Sequence, residues 1–174
     1  MSNEAPAPAR KTKWLRPALE VALFLGLLVG YRAWQHRDMP HGPAPALSGY
    51  TLAGQPYNLP AHPGKPVLVH FWATWCGVCL AEQGSISSIA ANTDTDLISV
   101  AMQSGKRDEV ARHAEKQHID FPVINDESGA LAQRWGVNAV PADFIIGPDG
   151  TIRFAEVGYT TGIGLRLRLW LAGL

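Results

Sequence analysis

The chain has 174 residues, 47% of them hydrophobic, and its 15 Lys/Arg are balanced by 15 Asp/Glu, giving a formal net charge of zero. That length suits one domain plus an appendage, and the hydrophobic content supports a packed core. Zero net charge argues against a broad polyanion-binding surface, so nucleic acid is not expected as a partner.

The charge is unevenly placed. Residues 1–40 hold six of the basic residues against three acids, leaving nine against twelve for the rest. Small residues and prolines at 2–9 precede Arg10, Lys11, Lys13 and Arg16, and residues 1–16 read as a basic cytoplasmic N-terminus. Residues 17–34 follow, apolar from Ala18 apart from Glu20 and Arg32. The uninterrupted apolar core, Val21 to Tyr31, is eleven residues, a length that also fits the centre of a cleaved signal peptide. Two features favour an uncleaved transmembrane signal-anchor. No small-x-small cleavage site follows Tyr31, and Trp14 and Trp34 stand twenty residues apart, roughly 30 Å along a helix, which places an indole at each interface of a bilayer. The basic residues before the span orient the N-terminus to the cytoplasm. The rest of the chain is then expected in a bacterial periplasm, held single-pass at the inner membrane. Residues 35–45, polar and interrupted by Pro40, Pro43 and Pro45, read as a short stiff tether.

Residues 46–174 are expected to form one α/β domain. Tyr50–Leu52 and Tyr57–Leu59 flank Gly54-Gln55 as a hairpin. Val67–Trp72, β-branched and aromatic, reads as a central buried strand. Gly77 to about Ala91 reads as a helix whose buried stripe is Leu80, Ile86, Ile89 and Ala90. Leu97–Met102 is a second buried strand, and Lys106–Gln117 is a charged helix with Val110, Ala111 and Ala114 inward and His113 and His118 on a solvated face. Phe121–Ile124 is a short strand and Ser128–Trp135 a short helix closed by Gly136. Asp143–Ile146 and Ile152–Val157 are strands joined by a turn at Gly147-Pro148-Asp149-Gly150. Thr161–Ala172 alternates like a strand, but its place after a hairpin favours a helix. Strands alternating with helices and then an antiparallel hairpin imply a mixed central sheet covered by helices on both faces.

The only two cysteines, Cys76 and Cys79, follow the central strand and open the helix. A Cys-x-x-Cys pair at that junction is a redox device. Cys76 is expected as the exposed nucleophile, its thiolate stabilised by the helix N-terminus. Cys79, one turn along, is expected to be buried and to resolve the mixed disulfide. Resolution needs a base for Cys79, and the sequence offers two. Glu82 lies one turn further along the helix. His70 shares a strand face with Leu68 and Trp72, and an imidazole moves protons near neutrality. The other reading of His70 is a neutral core histidine bound to a backbone carbonyl. Trp72 is expected in the core and Trp75 at the docking surface.

Several motifs in order resemble the thioredoxin superfamily: Phe71-Trp72-Ala73-Thr74-Trp75-Cys76-Gly77-Val78-Cys79, then Val140-Pro141, then Asp143-Phe144-Ile145-Ile146-Gly147-Pro148-Asp149-Gly150. Phe121-Pro122-Val123-Ile124 and Ala132-Gln133-Arg134-Trp135-Gly136-Val137 resemble its TlpA/ResA-like branch of membrane-tethered periplasmic proteins, and Gly77-Val78 with the anchor looks most like the suppressor-of-copper-sensitivity D type. Glu82 matches the branch, whereas Gly84 stands where the branch often has proline, and His70 where it often has an amide.

The resemblance implies a thioredoxin-like fold and a protein-disulfide oxidoreductase with no cofactor beyond the Cys76–Cys79 disulfide and no metal. It implies a cis Pro141 beside Cys76, with Val140 offering backbone groups to an extended client chain. It implies client proteins bearing disulfides or thiols, by analogy an apocytochrome, a copper-handling protein or another thioredoxin-like protein. A membrane electron donor or acceptor would recharge the pair, with reduction of clients the expected direction. The alternative is a carrier of thioredoxin fold that binds Cu(I) through the two soft thiolates.

Overall fold

The computed structural model describes residues 15–36, 40–91 and 95–174. The chain divides into two compact units, residues 1–37 and 38–174.

The first unit is the helix α1, Leu15–His36. Leu19, Val21, Leu23, Phe24, Leu25 and Leu27 are all exposed on it. At 100° per residue these positions spread over about 240° of the circumference, and Ala18, Ala22 and Gly26 occupy the remaining arc, so Glu20 is the one polar residue along that stretch. Among the described residues no helix is long and apolar enough to cross a membrane. Trp14, and the side chains at 28, 29 and 31–36, lie outside the described residues, so the expected pair of interfacial tryptophans falls there.

The second unit is a six-stranded sheet in the order β1-β8-β7-β4-β5-β6. Its strands are β1 (Gly42–Pro43), β4 (Val67–Trp72), β5 (Asp96–Met102), β6 (Val123–Asp126), β7 (Ala142–Ile146) and β8 (Thr151–Val157), and β2 (Ser48–Tyr50) pairs with β3 (Pro56–Asn58) as a separate hairpin. β4, β5 and β6 run parallel, while β7 runs antiparallel to both its neighbours, β4 and β8. The helices are α2 (Gly77–Ala90), α3 (Arg107–Lys116), α4 (Ala130–Arg134) and α5 (Gly162–Ala172). This is the expected mixed sheet with helical cover. β4 is buried along its whole length because strands lie on both sides of it and both its faces are packed. Val67, Val69 and Phe71 enter one core with Trp135 and Phe144, and Leu68 and Trp72 enter the other with Ile86, Ile89 and Leu165.

Three expectations change. The tether was read as running to residue 45, yet Gly42 and Pro43 pair with Ile152 and Thr151, and the Ala44 amide donates to the Gly150 carbonyl at 2.9 Å. The strand edge of β8 recruits this Pro-rich segment because proline is tolerated at a sheet edge. The hairpin forms one to two residues earlier than its aromatic residues suggested, with Gly49 opposite Tyr57. In α2, Leu80 is exposed, and the inward positions are Cys79, Glu82, Ile86 and Ile89. Those four share one helical face, which Leu80 misses by about 100°.

Local signals account for several boundaries. Thr161 caps α5 by accepting from the Gly164 amide at 3.2 Å. At the β7–β8 turn Gly150 has φ +79°, and a Cβ there would stand 1.8 Å from the Ala61 carbonyl oxygen, so glycine is required on both counts.

Candidate active site

Cys76 and Cys79 are joined as a disulfide with their Cα atoms 5.3 Å apart. Cys76 is the N-cap of α2, and its Sγ accepts from the Cys79 amide at 3.1 Å. This is the first-turn N–H that would stabilise a thiolate on Cys76 once the bond is reduced. Cys76 is half-buried and Cys79 is 5% exposed. The two sulfurs therefore differ in access as the attacking and resolving roles require.

The Val140–Pro141 peptide is cis, and the Val140 carbonyl oxygen lies 3.6 Å from Cys76 Sγ. Pro141 is buried and Val140 half-buried beside it. Trp75 is 62% exposed and its indole N–H donates to the Gln103 carbonyl at 3.2 Å, which fixes a large apolar surface next to the pair. The Thr74 amide donates to Ser104 Oγ at 3.0 Å, tying the approach to the helix onto the end of β5.

Three buried polar side chains meet between α2 and the sheet, His70 and Asp143 through strand register and Glu82 from the inward face of α2. His70 on β4 is opposite Asp143 on β7, and His70 Nδ1 and Asp143 Oδ1 are 2.8 Å apart. His70 is 2% exposed, Asp143 1% and Glu82 0%. The core-histidine reading therefore holds for burial but not for the partner, which is a carboxylate and not a backbone carbonyl. Glu82 accepts from the Thr160 amide at 2.9 Å through Oε1. Its pKa is pushed up to about 8, chiefly by burial and next by the neighbouring Asp143 charge, against the lowering effect of the Thr160 amide. Glu82 Oε2 and Asp143 Oδ2 are buried without a hydrogen-bond partner when both are counted as acceptors. A hydrogen bond to Asp143 is among the causes that raise the Glu82 pKa, and a proton shared between the two carboxyl groups would give both atoms a partner.

His70, Glu82 and Asp143 are also the one group of metal-type side chains among the described residues whose donor atoms fall within 4.8 Å of one another. At 2.8 Å the imidazole and carboxylate are in direct hydrogen-bond contact, with no space for an ion between them.

A cleft of about 230 Å³ opens beside the cysteines, and His70, Trp72, Cys79, His113 and Phe121 are among its walls. The charged helix was expected to turn His113 to solvent. Instead its ring lies 5.7 Å from that of Trp72, and its pKa is lowered by burial and by Lys116. Asp143 is the residue the sequence reading passed over. An acid inside the otherwise apolar run Ala142–Ile146 was the available signal, but its partner is set by cross-strand register.

The family model described as the AhpC/TSA family matches residues 40–155. A thioredoxin-like protein of Haemophilus influenzae is 33% identical over 122 residues, which cover 70% of this chain and 72% of the relative. Thiol-disulfide oxidoreductase ResA of Bacillus cereus is 26% identical over 136 residues, 77% of this chain and 79% of the relative. Among solved structures, a thiol:disulfide interchange protein DsbE from Chlorobium tepidum superposes with a TM-score of 0.69 at 22% identity, over 77% of this chain and 98% of its own, a likeness of fold.

Proposed function

The chain belongs to the AhpC/TSA family and is a thiol–disulfide oxidoreductase of thioredoxin-like fold, and we propose that it exchanges disulfides with client proteins from the periplasmic face of a bacterial inner membrane, as a reductase. The observation that carries this reading is the accessible Cys76 at the N-cap of α2, disulfide-bonded to the buried Cys79 and faced by the Val140 carbonyl. In the reduced protein the Cys76 thiolate attacks one sulfur of a client disulfide, and the other client sulfur leaves as a thiolate and takes up a proton. Cys79 then loses its proton and attacks Cys76 Sγ, which re-forms the Cys76–Cys79 bond and releases the second client thiol. Val140 and Pro141 present a rigid backbone edge on which an extended client segment pairs during both steps. The base for Cys79 comes from the buried set beneath α2, Glu82 or His70.

A membrane electron donor would supply the two electrons and two protons that return the disulfide to the dithiol. Tethering is supported by the apolar residues exposed along Leu19–Leu27 of α1 and by the basic residues that precede it. The reductase direction and the suppressor-of-copper-sensitivity D type rest on the resemblance of the motifs to the tethered branch.

The test is client capture in cells by the full-length chain carrying Cys79→Ala. The expected result is mixed disulfides through Cys76 with periplasmic proteins, membrane fractionation of the chain, and a mostly reduced Cys76–Cys79 pair in the unaltered protein. A mostly oxidised pair would reverse the direction. Tight Cu(I) binding with no captured client would replace exchange with the carrier function.

A further inference from the structure

The hydrogen-bond pattern beneath the cysteines distinguishes between the two bases. Asp143 lies beside both His70 and Glu82. Oδ1 is 2.8 Å from His70 Nδ1. Oδ2 and Glu82 Oε2 are both buried orphans, and neither can donate while ionised. An orphaned buried acceptor costs about 1–3 kcal/mol, more for a charged group. A proton resident on Glu82 removes both orphans at once, and the upward shift of the Glu82 pKa agrees with that residence. A carboxyl that keeps its proton at neutral pH is a poor acceptor for the proton of Cys79. His70 is the opposite case. Asp143 Oδ1 engages Nδ1, which leaves Nε2 as the ring nitrogen without that bond, and His70 and Cys79 both line the cleft.

We propose that His70 is the base that takes the Cys79 proton during resolution, that Asp143 is the positioning residue that holds His70 as the Nδ1–H tautomer, and that Glu82 serves the pair as bearer of a proton shared with Asp143. This rests on the disulfide-exchange reading of Cys76 and Cys79. In the mixed disulfide the Cys79 S–H bond breaks and its proton passes to His70 Nε2, directly or through a water in the cleft. The Cys79 sulfur bonds to Cys76 Sγ, and the Cys76–client S–S bond breaks with its electron pair on the client sulfur. The imidazolium stays paired with Asp143 until it returns its proton to the departing client thiolate or to water. No external oxidant or reductant enters the step.

The other titratable groups around the set are accounted for. Glu156 on β8 lies opposite Asp143 in register and is paired with Arg168 of α5 at 3.0 Å. His113 of α3, with Lys116 near it, also lines the cleft, its ring against Trp72.

The experiment is stopped-flow release of thionitrobenzoate when the reduced full-length chain meets 5,5′-dithiobis(2-nitrobenzoate). The first phase, proportional to reagent concentration, is attack by Cys76. The second, independent of it, is displacement by Cys79. His70→Asn and Asp143→Asn are each expected to slow the second phase about ten- to a hundredfold near pH 7. Both should move the midpoint of its pH profile up toward about 8.5, that of an unassisted thiol, and the double variant should be no slower than the slower single one. Glu82→Gln, whose amide still donates to Asp143, is expected to cost markedly less.

A Glu82→Gln loss as large as that of His70→Asn, with Asp143→Asn mild, would make Glu82 the base and overturn the proposal. A comparable loss in His113→Asn would transfer the role to the other imidazole and overturn it equally. Absence of a concentration-dependent first phase in the unaltered chain would instead sink the exchange reading. Should Asp143→Asn not fold, ¹⁵N NMR of the unaltered protein decides the matter. A proton on His70 Nδ1 at neutral pH supports the assignment, and the Nε2–H tautomer overturns it.

Discussion

On one face of the sheet, β4, β5 and β7 present Val69, Phe71, Ile98, Val100, Phe144 and Ile146 to Leu47, α4 and Trp135. On the other face the same three strands turn His70, Ser99 and Asp143 inward beside Leu68, Trp72 and Ile145, under α2 and α5. The first face is held by an aromatic cluster in which Phe71, Trp135 and Phe144 stand 5.0–5.8 Å apart. The second buries a histidine and two carboxyl groups. Burying ionisable groups costs stability unless they satisfy one another. Among the described residues the apolar face carries only Asp126 at its edge, met by the Leu131 and Ala132 amides, whereas the side where the cysteines sit buries a cluster of three. Stability and chemistry are therefore divided between the two faces of a single set of strands.

That division can be broken most forcefully from the apolar side. Phe144→Ala should lower unfolding free energy by about 3–5 kcal/mol, measured by denaturant titration, while the pH profile of thiol exchange in the folded protein keeps its shape. A changed profile would mean that the faces are coupled.

Glu82→Gln tests the polar side through linkage. The carboxyl has a folded pKa raised to about 8 from an ordinary 4.5, so between those values the folded state holds a proton that the unfolded state has lost. Stability of the oxidised protein then falls as pH rises through that window, by about 1.4 kcal/mol per unit where the difference is a full proton. Unfolding at pH 5 and pH 7 should differ by about 2 to 3 kcal/mol from this group, and Glu82→Gln should remove that part of the slope. A slope that persists in the variant would place the proton elsewhere.

The smallest expected effect is at Ser99, whose hydroxyl accepts from Trp72 Nε1 at 3.2 Å and donates to the Pro122 carbonyl at 2.9 Å. Ser99→Ala should cost about 1 kcal/mol in thermal unfolding. An exchange rate that drops with it would extend the functional part of the polar face as far as β5.

Much of the fold was legible because its signals are local. An unbroken β-branched and aromatic run requires burial on both sides, which made Val67–Trp72 a central strand. Alternation along it separated His70 from Phe71 onto opposite faces, as the two cores confirm. The turn at Gly147–Gly150 and the cap at Thr161 were equally local. Leu80 and the tether boundary differ from the sequence reading because helical phase and edge pairing depend on what lies opposite, and Glu82 shares the inward face of α2 with Cys79, Ile86 and Ile89, where Thr160 and Asp143 meet it.

By itself, the sequence determined the redox pair, its place at a strand–helix junction, and the unusual histidine six residues before it. All of these follow from residue type and spacing along one stretch of chain. Tertiary structure alone decided that His70 faces Asp143, 73 positions away, and that a cleft connects that histidine with Cys79. The reason is that antiparallel register between β4 and β7, and the depth to which α2 sinks Glu82, are set by the packing of the whole sheet. No local run of residues carries that information.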